Sequence, residues 1–331
     1  MTWLNVPTSG ENDLDTLLAL QAAAGKSLTD FLAIAEQVND AAMLNLCRAH
    51  MARLLSCDAV LAKADPTLVA QLDNWHKSDV FSEAEKAALD FTEQFMIGAR
   101  NVTPAQRQAL ASGLGVREPS TFVYGLYINE AFLRFLTFFD VRPGAPVTFT
   151  SDAGLGEKAD REFIEWVDDD SSDTDPRLLA AYYGFNRATC SLTGVDATTD
   201  EIVRLRSAEY HDCKFCQSVR RVIDNPAGGN DLMREVLNYR DSKILSERQK
   251  TALEVLETFV IAPANVDDEL KAKIARHFTP EAIVELLLKE MFWMSNKPMI
   301  SLGTDPGAVS AEHYTDFEYD DEGNFVLLTA S

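Results

Sequence analysis

One segment of the chain occurs twice. Ser82 to Val102 (SEAEKAALDFTEQFMIGARNV) lies over Ser246 to Val266 (SERQKTALEVLETFVIAPANV) at a constant offset of 164 residues, with Ser, Glu, Lys, Ala-Leu, Glu, Phe, Ile and Asn-Val identical. Chance rarely matches that many ungapped positions, and an internal repeat decides an architecture before any local structure is considered. Further on, Arg142-Pro-Gly lies over Asp305-Pro-Gly with one residue of slippage. Upstream, Ala42 to Leu61 lies over Glu201 to Arg220 at an offset of 159, placing Cys57 on Cys216, Leu54 on Cys213, Ala42 on Glu201 and Leu61 on Arg220. The extra residues of the second half fall near Asn225-Pro-Ala-Gly-Gly-Asn230, a turn-rich insertion. At 331 residues the chain has about twice the usual single-domain length, so two copies are expected: residues 1–145 and 176–312. An acidic linker, 146–175, joins them and an acidic tail, 313–331, follows.

Within each half, apolar residues recur at helical spacing, as at Ala88, Phe91, Phe95 and Ile97 or at Ile283, Leu286, Leu287 and Met291. This periodicity predicts helical bundles. Ser82-Glu-Ala-Glu, Thr103-Pro-Ala-Gln and Thr279-Pro-Glu-Ala are helix starts, an N-cap followed by Pro or acidic residues. The linker, including Asp168 to Asp175, reads as a solvated connection with one short helix at 163–167, and residues 314–328 as a hairpin or docked arm around Asp321 to Asn324. The aromatic set Phe122, Tyr124, Tyr127, Phe132, Phe135, Phe138 and Phe139 reads as core and interface, and His50 as a packed or capping residue. A net charge of −22 repels phosphate backbones and anionic membranes, so neither nucleic acid nor membrane is an expected partner. The N-terminus has no basic segment followed by an apolar one, and no run approaches 18 apolar residues, so a cytoplasmic protein is expected.

Chemistry concentrates at Cys213-Lys-Phe-Cys216. A CxxC pair serves redox exchange, half of a zinc site, or packing as two core cysteines. Zinc needs a second close pair of Cys or His, which the sequence lacks, so neither metal nor cofactor is expected. With Asp212 as N-cap, Cys213 falls in the first turn of a helix running through Arg220, where a thiolate is stabilised. Cys213 and Cys216 then share a face and can close a small disulfide, with Arg220 one turn below. If Glu201 to Tyr210 folds back antiparallel on that helix, Glu201 lies about 15 Å and Arg220 about 10–12 Å from the turn, side by side.

Glu201, eleven residues, Cys213-Lys-Phe-Cys216, three residues and position 220 together resemble the Glu-x11-CxxC-x3-His signature of alkylhydroperoxidase D-like proteins in the carboxymuconolactone decarboxylase superfamily. The resemblance implies an all-α fold in which two tandem domains of this kind form a pseudo-dimer, and chains that assemble into homo-oligomers. It implies reduction of an organic hydroperoxide or a disulfide at the expense of a thiol donor: Cys216 attacks the peroxide and Cys213 resolves the sulfenic acid. Position 220 departs from the signature, since Arg220 stays protonated and cannot pass a proton. It can pair with Glu201 and favour a Cys216 thiolate, which predicts slow peroxide turnover beside competent disulfide exchange. His211 is the nearest candidate to substitute for the relay histidine, but its place in the turn reads first as that of a solvated residue. The first half keeps only Cys57 and reads as scaffold. A non-redox decarboxylase-like enzyme and a catalytically silent binding protein remain as alternatives.

Overall fold

A computed structural model describes residues 2–6, 12–62, 64–141, 174–223, 229–310, 313–321 and 323–328. The chain is predominantly helical. The first half contributes α1 (Asp13–Ala19), α2 (Ala22–Val38), α3 (Ala41–Leu54), α4 (Asp58–Leu61), α5 (Pro66–Leu72), α6 (Glu83–Gly98), α7 (Pro104–Leu114) and α8 (Ser120–Phe138). The second contributes α9 (Pro176–Cys190), α10 (Ala197–Tyr210), α11 (Lys214–Ser218), α12 (Gly229–Leu237), α13 (Glu247–Ile261), α14 (Asp268–His277), α15 (Pro280–Trp293) and α16 (Lys297–Leu302). The start signals act as expected. Ser82, Thr103 and Ser246 form reciprocal capping boxes with Glu85, Gln106 and Gln249, and Thr279 caps α15 ahead of Pro280. The expected linker helix at 163–167 and most of the acidic run lie outside the described residues; at its end, Asp175 caps α9.

The tail departs from a purely helical chain. β2 (Thr315–Tyr319) and β3 (Phe325–Leu327) form the expected antiparallel hairpin. β2 also pairs in parallel with β1 (Val219–Arg221), the segment that the helical pattern carries through Arg220. Val219 is β-branched and begins a run whose backbone groups are taken by the arm, so the helix after Cys213 stops at Ser218.

Elements of the two halves share local features. α3 and α10 each run 14 residues from an aspartate cap, Asp40 or Asp196, whose carboxylate accepts the amide N–H three residues on. Each is followed by a residue at positive φ, Ser56 (56°) or Asp212 (50°), and then by a cysteine. The amide of Cys57 donates to Ala52 O at 2.8 Å and that of Cys213 to Ala208 O at 3.0 Å. By these local features Cys57 stands after α3 as Cys213 stands after α10, whereas the sequence alignment places Cys57 over Cys216. Downstream, Glu93 on α6 receives Trp75 Nε1 and faces His50 Nε2, each at 3.2 Å. Glu257 on α13 receives Tyr239 Oη at 2.9 Å and Arg206 at 2.7 Å. His50 is thus the packed residue expected of it, fully buried on α3.

Among the described residues, the larger of two apolar clusters runs through both halves and holds the whole aromatic set from Phe122 to Phe139, while Leu46, Ala49, Leu72, Phe81 and Leu89 form a smaller one. α2 packs on α9, where Phe31 meets Tyr182 and Phe185, and the Tyr127 hydroxyl donates to Met291 O at 2.7 Å. Buried charge also crosses between the halves. Glu130 on α8 accepts Lys297 Nζ at 2.8 and 2.6 Å and Arg134 at 3.0 and 2.8 Å. Arg134 in turn donates to the carbonyls of Phe259 and Val260 at the end of α13, where a cation meets the helix dipole favourably. Removing one member of such a network strands the others without water. Glu130→Gln is therefore expected to lower unfolding stability by about 3–5 kcal/mol in a denaturant titration; a change below about 1 kcal/mol would show that the cluster is not closed to solvent.

Candidate functional site

The site is built where α10 turns into α11. Leaving α10, the chain passes His211 and enters the left-handed region at Asp212, a conformation that aspartate tolerates better than most residues. That turn reverses the chain and makes Cys213, rather than the expected Asp212, the cap of α11, its sulfur accepting the Cys216 amide at 3.2 Å. Cys213 and Cys216 are joined as a disulfide, with Cα atoms 5.3 Å apart. Both are buried, Cys213 at 1% exposure and Cys216 at 7%.

Glu201 lies beside this turn, but Arg220 is not its partner. The carboxylate of Glu201 is gripped by both arms of Arg204, at 2.6 and 2.7 Å, and receives the Arg221 amide at 3.2 Å. Arg204 also donates to the carbonyls of Cys216 and Val219, each at 2.8 Å, and its guanidinium lies 5.2 Å from the Phe317 ring centre. The expected Glu201–Arg220 pair fails because position 220 sits on β1 rather than on a helix face below Cys216. Arg220 donates instead to the carbonyls of Gln217 and Val219, and its guanidinium lies 3.5 Å from the centre of the Tyr314 ring. Burial, then the nearby Arg204 charge, pulls its pKa below the usual arginine range.

His211 is not a solvated turn residue. Its side chain is 9% exposed, with Nε2 3.9 Å from Glu290 Oε1. Burial, and then the charges of Lys297 and Arg134, hold the imidazole well below the ordinary histidine range, so it is neutral. Glu290 accepts Ser207 Oγ at 2.9 Å, while its other oxygen has no hydrogen-bond partner. Burial holds that carboxyl well above the ordinary range. His211 and Glu290 therefore meet as two uncharged groups.

Two residues escaped the sequence pattern. Arg204 stands three residues after Glu201 on one helix, a spacing that marks a pairing partner. Asn296, 80 residues from Cys216, gave no signal, yet its Nδ2 donates to Cys216 Sγ at 2.9 Å. Among the described residues, no group of three His, Cys, Asp or Glu side chains is arranged to hold a metal, and no helix is long and apolar enough to cross a membrane.

The chain is 32% identical over 227 residues to the uncharacterized protein Rv2313c of Mycobacterium tuberculosis, a match covering 68% of this chain and 74% of that one. It belongs to the same family as that protein. Shorter stretches resemble the uncharacterized proteins YnjA of Escherichia coli, 30% identical over 93 residues (28% of this chain, 51% of YnjA), and YdfG of Bacillus subtilis, 26% identical over 98 residues (29% of this chain, 67% of YdfG). No family model matches the chain, and no solved structure matches it significantly.

The two uncharged groups set opposite pH slopes. Folded Glu290 keeps a proton that the unfolded chain releases above about pH 4.5, so its share of stability is full below that pH and is lost as pH rises. Folded His211 refuses a proton that the unfolded chain takes up below about pH 6.5, so its share is lost as pH falls. Glu290→Gln is expected to raise the melting temperature at pH 8 and to change it little at pH 5. An equal effect at both pH values would mean that Glu290 is ionised in the folded protein.

Proposed function

We propose that the chain is a thiol-disulfide enzyme of the alkylhydroperoxidase D-like kind, with one working site per chain at Cys213 and Cys216. The observation that carries this reading is the pairing of the two sulfurs at a turn with Glu201 alongside, the Cys216 sulfur also receiving the Asn296 amide. In the reduced protein the Cys216 thiolate attacks the terminal oxygen of an organic hydroperoxide, the O–O bond breaks, and an alcohol leaves on taking up a proton. The resulting sulfenic acid is attacked by Cys213, which forms the disulfide and releases water. An external dithiol then returns two electrons and two protons. Arg220 supplies no proton for the leaving alkoxide, so turnover is slow, since such an acid typically contributes about 10²–10⁴-fold.

We read the two halves as tandem copies packed as a pseudo-dimer, a reading supported by the shared lengths and caps of α3 and α10 and by the paired Glu93 and Glu257 clusters. The first copy is scaffold: Val60 falls where the second copy has Cys216, so Cys57 has no resolving partner.

Turnover of cumene hydroperoxide with dithiothreitol is the direct test. Cys216→Ser should abolish it, and pre-reduced Cys213→Ser, freed of dithiothreitol and given peroxide, should stop after one oxidation, leaving a sulfenic acid that dimedone traps at Cys216. Equal turnover in wild type and Cys216→Ser would overturn the proposal. Because Arg204 occupies Glu201, Arg220→His is expected to leave the rate unchanged; a rise would show that Glu201 can be released to it.

A further inference from the structure

Asn296 stands at a junction where its ordinary use would be structural. It closes a 3-10 turn, Met294–Asn296, that runs directly into α16 with helical backbone angles, so its side chain is not used as a cap. Its Nδ2 donates instead to Cys216 Sγ at 2.9 Å. The charged groups around the CxxC turn are engaged elsewhere. Arg204 holds Glu201 and the carbonyls of Cys216 and Val219; Arg220 holds the carbonyls of Gln217 and Val219 beneath Tyr314. Lys214 pairs with Asp212, Lys297 with Glu130, and His211 faces Glu290. α11 has only five residues, so few aligned peptides face the sulfurs.

We propose that Asn296 is the side-chain donor that stabilises the Cys216 thiolate, both in the reduced protein and when that sulfur leaves as the disulfide is reduced. This rests on the redox reading given above. A hydrogen bond to the ionised sulfur favours that form over the thiol. The Cys213 sulfur, by contrast, receives the backbone amide of Cys216, which no side-chain substitution removes.

The test is a pH titration of thiolate absorbance at 240 nm on reduced Cys213→Ser protein, with and without Asn296→Ala. The remaining thiols leave the acidic and neutral range clear: burial pushes Cys47 and Cys190 up to about 12 and also raises Cys57. Losing the donor should move the Cys216 step up by about one pH unit, an approximately tenfold loss of thiolate on the lower flank. Asn296→Asp should move it further, by placing a carboxylate against the sulfur, while Asn296→Gln should recover part of the loss. Melting temperatures keep the comparison to folded protein. An unmoved step in Asn296→Ala, or the same step in the Asp and Gln variants, overturns the proposal. If the step moves as expected while wild type fails to turn over hydroperoxide, the donor role stands and the peroxidase reading falls.

Discussion

The Glu201–Arg204 pair is the constraint on which the site depends. Both side chains are almost wholly buried, and a buried carboxylate facing a buried guanidinium is favourable only when nearly every remaining donor and acceptor is used. The fork of Arg204 does this by holding Glu201 with two of its arms while reaching the carbonyls of Cys216 and Val219. One side chain on α10 therefore fixes the end of α11 and the start of β1. Because β1 carries β2, and β2 carries the hairpin, the C-terminal arm is tied to the same guanidinium, which Phe317 of β2 covers.

A second buried network joins the halves. Glu130 and Arg134 come from one half and Lys297 from the other, and burial pulls the lysine down to about 8. Lys297 follows Asn296 directly, so the ion pair that holds it against Glu130 also sets where the Asn296 amide points. α8, in the half without the CxxC pair, is thus linked through Lys297 to the residue that touches Cys216 in the other half. An apolar contact of similar size would join the halves as firmly but would not specify one position along the helix, a role that buried polar groups fill in some proteins.

What the sequence made legible follows from what is local. Caps, helix periodicity and the hairpin were readable because each is decided within a few residues: Ser82 with Glu85, Thr279 with Pro280, and the apolar runs on either side of Asp321. The CxxC pair and its neighbour Glu201 were legible from spacing. The place of Arg220 was not, because the register of β1 is set by Thr315 to Phe317, nearly a hundred residues later, and a strand partner so remote overrides the helical continuation suggested by the sequence between Cys216 and Arg220. His211 likewise looked exposed because a turn usually is; here α15 brings Glu290 over it.

The short α11 follows from that strand and shapes the chemistry available to the sulfurs. A helix running through Arg220 would present about two turns of aligned peptides to a thiolate at its start, and would also place residue 220 beneath Cys216. Pairing with the arm ends α11 after five residues, removes residue 220 to a strand, and parks its charge on Tyr314. The arm thus deprives the sulfurs of both the dipole and the relay position in one step. Among the described residues, the side-chain donor on the Cys216 sulfur is the uncharged Asn296 amide, which donates a hydrogen bond but passes no proton. On the redox reading proposed above, a site of this construction would stabilise a thiolate better than it would protonate a leaving alkoxide. Exchange between sulfurs, whose leaving group is itself a stabilised thiolate, is the reaction least penalised by that imbalance.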